Sequence, residues 1–174
     1  MQQKKKRTTL KKKKDLKKVM SFQYLWNAIR VQGGAYGSGF ICAESGDVIC
    51  YSFRDPNPGR SLDCFDGCAD FVEDFCKEHD DLTKFILGAL SDTDPLLTAA
   101  KRVKLGESRY FKHVLPETVL KRSRELRETT PGHLLELCSA LRFAAAENNL
   151  CVVGGREQLE ACGEKLDRVV EVIS

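Results

Sequence analysis

Two side chains six residues apart could act together on one carbonyl oxygen. Arg30 offers a permanent cation and Tyr36 a phenolic O–H. Both suit an oxygen that gains negative charge during a reaction, because donors fixed at that point stabilise the charge as it develops. Gly33 and Gly34 lie between them and Gly37 follows. Glycine reaches φ > 0 at little steric cost, so these three predict a tight backbone turn that brings Arg30 and Tyr36 toward one point. Spacing alone also describes a helix, a turn and a hairpin strand in any α+β domain.

The elements that must hold this pair flank it. Phe22, Leu25, Trp26 and Ile29 recur at i, i+3, i+4 and i+7, the spacing of one buried helix face. Arg30 then falls in the last turn, where exposed carbonyls favour a cation. After the glycines, residues 38–44 and 48–54 predict two strands joined at Ser45-Gly46. Asp55-Pro56-Asn57-Pro58-Gly59 ends the second strand, because proline supplies no N–H and disfavours a helical residue before it.

The stretch Tyr24-Leu25-Trp26-Asn27-Ala28-Ile29-Arg30-Val31-Gln32-Gly33-Gly34-Ala35-Tyr36-Gly37 resembles the last domain of the presequence protease and falcilysin group. These are zinc metallopeptidases of the insulinase (pitrilysin) superfamily, hydrolases that act in proteolysis. The resemblance continues through Tyr51-Ser52-Phe53-Arg54-Asp55-Pro56-Asn57 and Leu62-Asp63-Cys64-Phe65-Asp66-Gly67, and covers roughly residues 19–174. It implies that Arg30 and Tyr36 reach from a non-catalytic domain toward a zinc site on another domain and hold the substrate backbone there. The implied partners are the catalytic domain of the same peptidase and its peptide substrate. The implied cofactor is zinc in the full-length enzyme and none in this chain. The resemblance also implies a larger sheet, with strands ahead of the opening helix. The domain is therefore expected to be N-terminally truncated and to self-associate through an uncovered sheet edge or face.

The remaining residues predict helices and a few more strands. One helix is read over 61–78 from Leu62, Phe65, Ala69, Val72 and Cys76, and another over 82–90 from Leu82, Phe85, Ile86 and Ala89, capped by Asp80 or Asp81. Asp94-Pro95 predicts a restart extending toward Lys112. A charged helix is read over 116–127. Thr130-Pro131 opens the helix that buries Leu134, Leu135, Leu137, Cys138, Leu141 and Ala145. Residues 150–154 and 168–173 read as strands around a short helix over 156–162. The fold class is α+β, with helices packed on one face of a mostly antiparallel sheet.

Charge divides the chain. Residues 1–18 carry nine lysines, one arginine and one aspartate, a net +9, and the rest has 18 basic and 24 acidic residues, a net −6. This reading gives a disordered lysine-rich tail over 1–18 and a single domain over 19–174. It leaves a second functional class open: a stand-alone interaction module whose basic tail binds nucleic acid. No aromatic residue precedes Phe22, so the tail offers no stacking platform, and nucleic acid is not the expected partner. No apolar run reaches 18 residues, so no membrane span is expected. The lysine-rich start resembles neither a secretory signal nor an amphipathic transit peptide. An intracellular setting follows, with the cytoplasm expected and an organelle lumen or matrix as the alternative.

The eight cysteines read as small core hydrophobes in a reduced protein, with Cys42, Cys50, Cys68, Cys138 and Cys151 at positions that favour burial. Cys64, Cys68, Cys76 and His79 have a metal-like composition, yet on one helix Cys64 and Cys76 would stand about 18 Å apart. None of the three histidines, His79, His113 and His133, begins a His-x-x-Glu-His signature. Gly33-Gly34-Ala35-Tyr36-Gly37 lacks the Gly-Lys-Ser/Thr ending of a phosphate loop, and Gly37-Ser38-Gly39 is no nucleophile elbow. The chain is therefore expected to carry no catalytic centre of its own and to be inactive alone.

Overall fold

The structure, a computed structural model, describes residues 13–42, 47–93 and 95–171. The described residues begin with helix α1 (Lys13–Val19), which continues without a break into α2 (Met20–Val31), wound as a π-helix. Strands β1 (Gly37–Cys42) and β2 (Val48–Phe53) follow. Then come α3 (Pro58–Asp66), α4 (Cys68–Glu78), α5 (Thr83–Thr93), α6 (Ala99–Phe111), α7 (Pro116–Arg127), α8 (Pro131–Leu135), α9 (Cys138–Ala146) and α10 (Arg156–Glu160). A 3₁₀ turn, Gly163–Lys165, ends the described elements.

The two strands form an antiparallel pair in which Cys42 faces Val48 and Gly37 faces Phe53. Alternation gives this hairpin two unlike faces. Phe40, Cys42, Val48 and Cys50 point into the core, packed with α1, α2 and α4. Ile41, Ile49, Tyr51 and Phe53 point outward and are exposed. The helices therefore lie on one face of an antiparallel sheet, as the fold class expected. The core is built from Leu16, Val19, Met20, Leu25, Ile29, Phe40, Val72, Phe75, Leu134 and Leu137. Each fully buried aliphatic or aromatic side chain of this kind contributes about 1.5–3 kcal/mol.

Several boundaries move from their expected places, each for a local reason. The lysine-rich tail is not disordered through residue 18: Lys13–Val19 is helical and Leu16 is buried, which makes α1 part of the domain. In α2, i→i+5 hydrogen bonds widen the turn, so the buried positions are Met20, Leu25 and Ile29. Phe22 and Trp26 rotate off that face and are 55% and 39% exposed. The helix read over 61–78 breaks at Gly67, where a side chain would meet the Tyr24 hydroxyl at 2.7 Å. Asp81 caps the start of α5, its carboxylate accepting the Thr83 N–H at 2.8 Å.

Pro95 begins no helix. The cap of α6 is Thr98, whose hydroxyl accepts the Lys101 N–H at 3.4 Å, while Asp94 lies outside the described residues. The leucine-rich helix after Thr130 is split into α8 and α9, and Leu135 is turned out to solvent. The Ser45-Gly46 turn also lies outside the described residues.

Residues 150–154 and 168–171 are not strands. A β-branched run becomes a strand only when another edge offers it a hydrogen-bond ladder. Among the described residues the backbone of 150–154 makes no such bond. Cys151 is exposed in consequence, against its expected burial. Residues 172–173 lie outside the described part.

Polar ties secure the helices at the surface. Arg142 of α9 forks onto Asp70 at 2.8 Å and Glu73 at 2.6 Å of α4. Lys165 donates to the Gly59 carbonyl at 2.8 Å and pairs with Asp63, anchoring the C-terminal turn to α3. Among the described residues no helix is long and apolar enough to cross a membrane.

Candidate functional site

The turn after α2 is set by backbone bonds and two glycines with different duties. The Gln32 N–H reaches the Asn27 carbonyl at 3.0 Å, an i→i+5 bond. The Gly34 N–H then bonds the Arg30 carbonyl at 3.1 Å and the Ala35 N–H the Ile29 carbonyl at 3.2 Å. These bonds satisfy the orphan acceptors of the helix end. Gly34 sits at φ +78, where a side chain is strained. Gly33 is needed for room: a Cβ there would come within 2.5 Å of the Ile29 carbonyl oxygen. Ala35 is buried and Ser38 donates to the Leu25 carbonyl at 3.1 Å, so the incoming strand is pinned to the helix it left.

Tyr36 leaves this turn 59% exposed. Its N–H bonds the Arg54 carbonyl at 3.2 Å, one step beyond the Gly37–Phe53 pair. Its ring meets the Phe53 ring edge-on, with centroids 5.4 Å apart. Gly37 makes that possible, because any side chain there would run into the Phe53 ring. Phe53 and Arg54 therefore hold the ring of a residue that stays exposed.

Three guanidinium groups surround the turn. Arg30 lies over the Trp26 ring, 4.0 Å from its centroid, an arrangement that orients a cation without neutralising it. Arg54 lies 5.3 Å from the centroid of the Tyr36 ring. Arg60 donates to the Gln32 carbonyl at 3.2 Å and to its side-chain oxygen at 3.1 Å. The nearby carboxylate of Asp55 is engaged elsewhere, by the Ser61 hydroxyl at 2.5 Å and the Asn57 N–H at 2.9 Å. The surface around Tyr36 is thus cationic and suited to a carboxylate or a developing oxyanion.

The recorded cation partner of the Tyr36 ring is Arg54, while the recorded partner of Arg30 is Trp26. Arg54 was missed as a site residue by sequence reasoning. It sits at φ 47, an unusual conformation for a non-glycine residue and one that often marks a functional site. Its sequence signal is its place in the resembling stretch Tyr51-Ser52-Phe53-Arg54-Asp55-Pro56-Asn57, at the end of a predicted strand.

Comparison with known proteins decides which family this surface belongs to. Residues 13–154, well over half of the chain, match the model of the PreP C-terminal domain. The chain belongs to the PreP C-terminal domain family. It is 31% identical over 163 residues to presequence protease 1, chloroplastic/mitochondrial, of Arabidopsis thaliana, covering 90% of this chain and 15% of that protein. It is 26% identical over 158 residues to protein HypA of Clostridium perfringens, covering 91% of this chain and 16% of the relative. A mitochondrial presequence protease of Drosophila melanogaster is 43% identical over 51 residues, 29% of this chain and 5% of its own length. The chain thus spans about a sixth of the length of the first two relatives.

The family match starts at Lys13, where α1 also starts. It therefore takes in the basic helix that the sequence reading had assigned to the tail. Among the described residues no group of three His, Cys, Asp or Glu side chains converges. His79 stacks on Phe75 with ring centroids 4.5 Å apart, and Nδ1 of His133 accepts the Thr130 N–H at 3.2 Å in a helix cap.

Proposed function

We propose that this chain is the non-catalytic C-terminal domain of a zinc metalloendopeptidase that degrades peptides. It forms part of the chamber wall, and Arg30 and Tyr36 contact the substrate backbone or transition state at a zinc site on another domain. Gly33, Gly34 and Gly37 serve as the backbone turn that fixes both. Arg54 joins this pair as the cation that lies against Tyr36. The observation that carries the reading is an exposed phenol, immobilised by Phe53 and Arg54, on a turn rich in unneutralised guanidinium groups. The relatives named as chloroplastic or mitochondrial proteases support an organellar setting for the full protein.

The test uses a polypeptide that carries this domain together with its catalytic domain. Arg30→Ala lowers kcat/KM for peptide cleavage by about tenfold or more, the typical worth of a charged hydrogen bond. Bound zinc, measured by elemental analysis, stays at the wild-type level. An unchanged kcat/KM overturns the role of Arg30.

Self-association is part of the same proposal, because the outward hairpin face exposes Ile41, Ile49, Tyr51 and Phe53. Sedimentation of this chain shows a monomer–dimer equilibrium at high concentration. Ile41→Lys with Ile49→Lys shifts it toward monomer. A wild-type chain that sediments as a clean monomer overturns this part.

A further inference from the structure

Cys50 and Cys68 meet where the sheet touches the helices. Cys50 occupies the inward face of β2, opposite Phe40, and Cys68 is the first residue of α4. Their sulfurs are 3.9 Å apart, although 18 positions separate them in sequence. The two thiols differ in access. Cys68 is only 4% exposed, and its S–H also lies 3.6 Å from the Cys64 carbonyl. Cys50 is half-buried and lines a cleft of about 680 Å³ between β2 and the extended segment 149–155. Cys50 is therefore the more accessible residue of the two, and Cys68 is packed deeper.

We propose that Cys50 and Cys68 are a reversible oxidation site for hydrogen peroxide, with Cys50 the attacking thiol and Cys68 the resolving one. Cys68 is the first residue of α4, eleven residues long, so the pair lies at the amide end of that helix, while the nearby Asp66 charge opposes a thiolate at either sulfur. Contact with Cys68 lowers the Cys50 pKa, while that same contact and burial push Cys68 up. The direction of attack follows from that asymmetry.

In the first step the Cys50 thiolate attacks one peroxide oxygen. The O–O bond breaks, hydroxide leaves, and Cys50 becomes a sulfenic acid. In the second step the Cys68 thiol gives up its proton and its sulfur attacks the Cys50 sulfur. The S–O bond breaks and its oxygen leaves as water. Overall, two thiols and one peroxide give one disulfide and two waters. The sulfurs must close from 3.9 Å to about 2.05 Å, a shift of a rotamer or a small movement of β2. Phe53 ends that strand and Arg54 follows it, and both hold Tyr36. The cross-link therefore fastens the hairpin carrying Tyr36 to α4.

The test treats the full chain with one equivalent of hydrogen peroxide, then alkylates the remaining thiols and maps the peptides. The expected result is loss of two alkylatable thiols, recovery of one peptide linking Cys50 to Cys68, and reversal by dithiothreitol. Thermal unfolding of the oxidised chain shifts up by about 5–10 °C, as closing a loop of this size predicts. A Cys151→Ser variant, which removes the exposed thiol, behaves identically. In Cys68→Ser, Cys50 accumulates as a sulfenic acid that dimedone traps. The proposal is overturned if Cys50 and Cys68 stay alkylatable in the wild-type chain, or if cross-links run only through Cys151. Wild-type mapping decides the matter even where Cys68→Ser fails to fold.

Discussion

Tyr36→Phe, made in a polypeptide that joins this domain to its catalytic domain, lowers peptide turnover by about 10²–10³-fold. The substitution removes one oxygen and leaves the ring, so the edge-on contact with Phe53 and the placement beside Arg54 persist. Only the O–H is lost. A donor used in the transition state is worth about 3–4 kcal/mol because a preorganised site stabilises charge that water would otherwise have to reorganise around. The loss should appear in kcat more than in KM, since the hydroxyl acts on charge that develops late. Zinc content stays at the wild-type level, because no ligand is touched. A turnover within about twofold of wild type would remove Tyr36 from the site.

The second large effect is on stability. Phe40→Ala destabilises the domain by about 3–5 kcal/mol, read as a fall in Tm of roughly 6–20 °C. Phe40 is 1% exposed and sits in the middle of β1, among the buried residues of the main core. Its loss leaves a void beneath the hairpin, bounded by a two-stranded ladder and helices that cannot close together without moving. Ile41, its neighbour in sequence, points to the opposite, exposed face. Ile41→Ala should therefore cost far less, and near-equal costs for the two would contradict the alternation of the hairpin.

The contrast between neighbouring residues also explains what could be read from sequence. The glycine turn was legible because its chemistry is local. Only glycine tolerates φ +78 at Gly34, and the helix end needs its carbonyls satisfied whatever packs around it. The helix over Pro116–Arg127 was legible in its full extent, since Leu115-Pro116 and the charged periodicity fix it within one segment. A cap at Asp80 or Asp81 was readable for the same reason, and the structure gives the role to Asp81.

Registers and faces were not legible. A two-residue turn at Ser45-Gly46 would, counted back along the strands, set Tyr36 opposite Asp55. The observed register pairs Cys42 with Val48 and sets Tyr36 beside Arg54. One residue of slip decides whether the phenol meets a carboxylate or a guanidinium. The face of α2 was misread because 3.6-residue spacing does not hold where the backbone widens to i→i+5 bonds, so Trp26 became the exposed platform for Arg30. Residues 150–154 looked like a strand because side-chain preference is local, while a ladder needs an edge that arrives from elsewhere.

The sequence by itself determined the glycine turn, carried by short-range steric and hydrogen-bonding rules, and the family to which the chain is similar, carried by the motif around it. Only the tertiary structure decided that Arg54 lies against Tyr36, that α1 belongs to the domain, and that Cys50 touches Cys68. Those outcomes rest on which surfaces meet across long separations in the chain, and packing complementarity sets that.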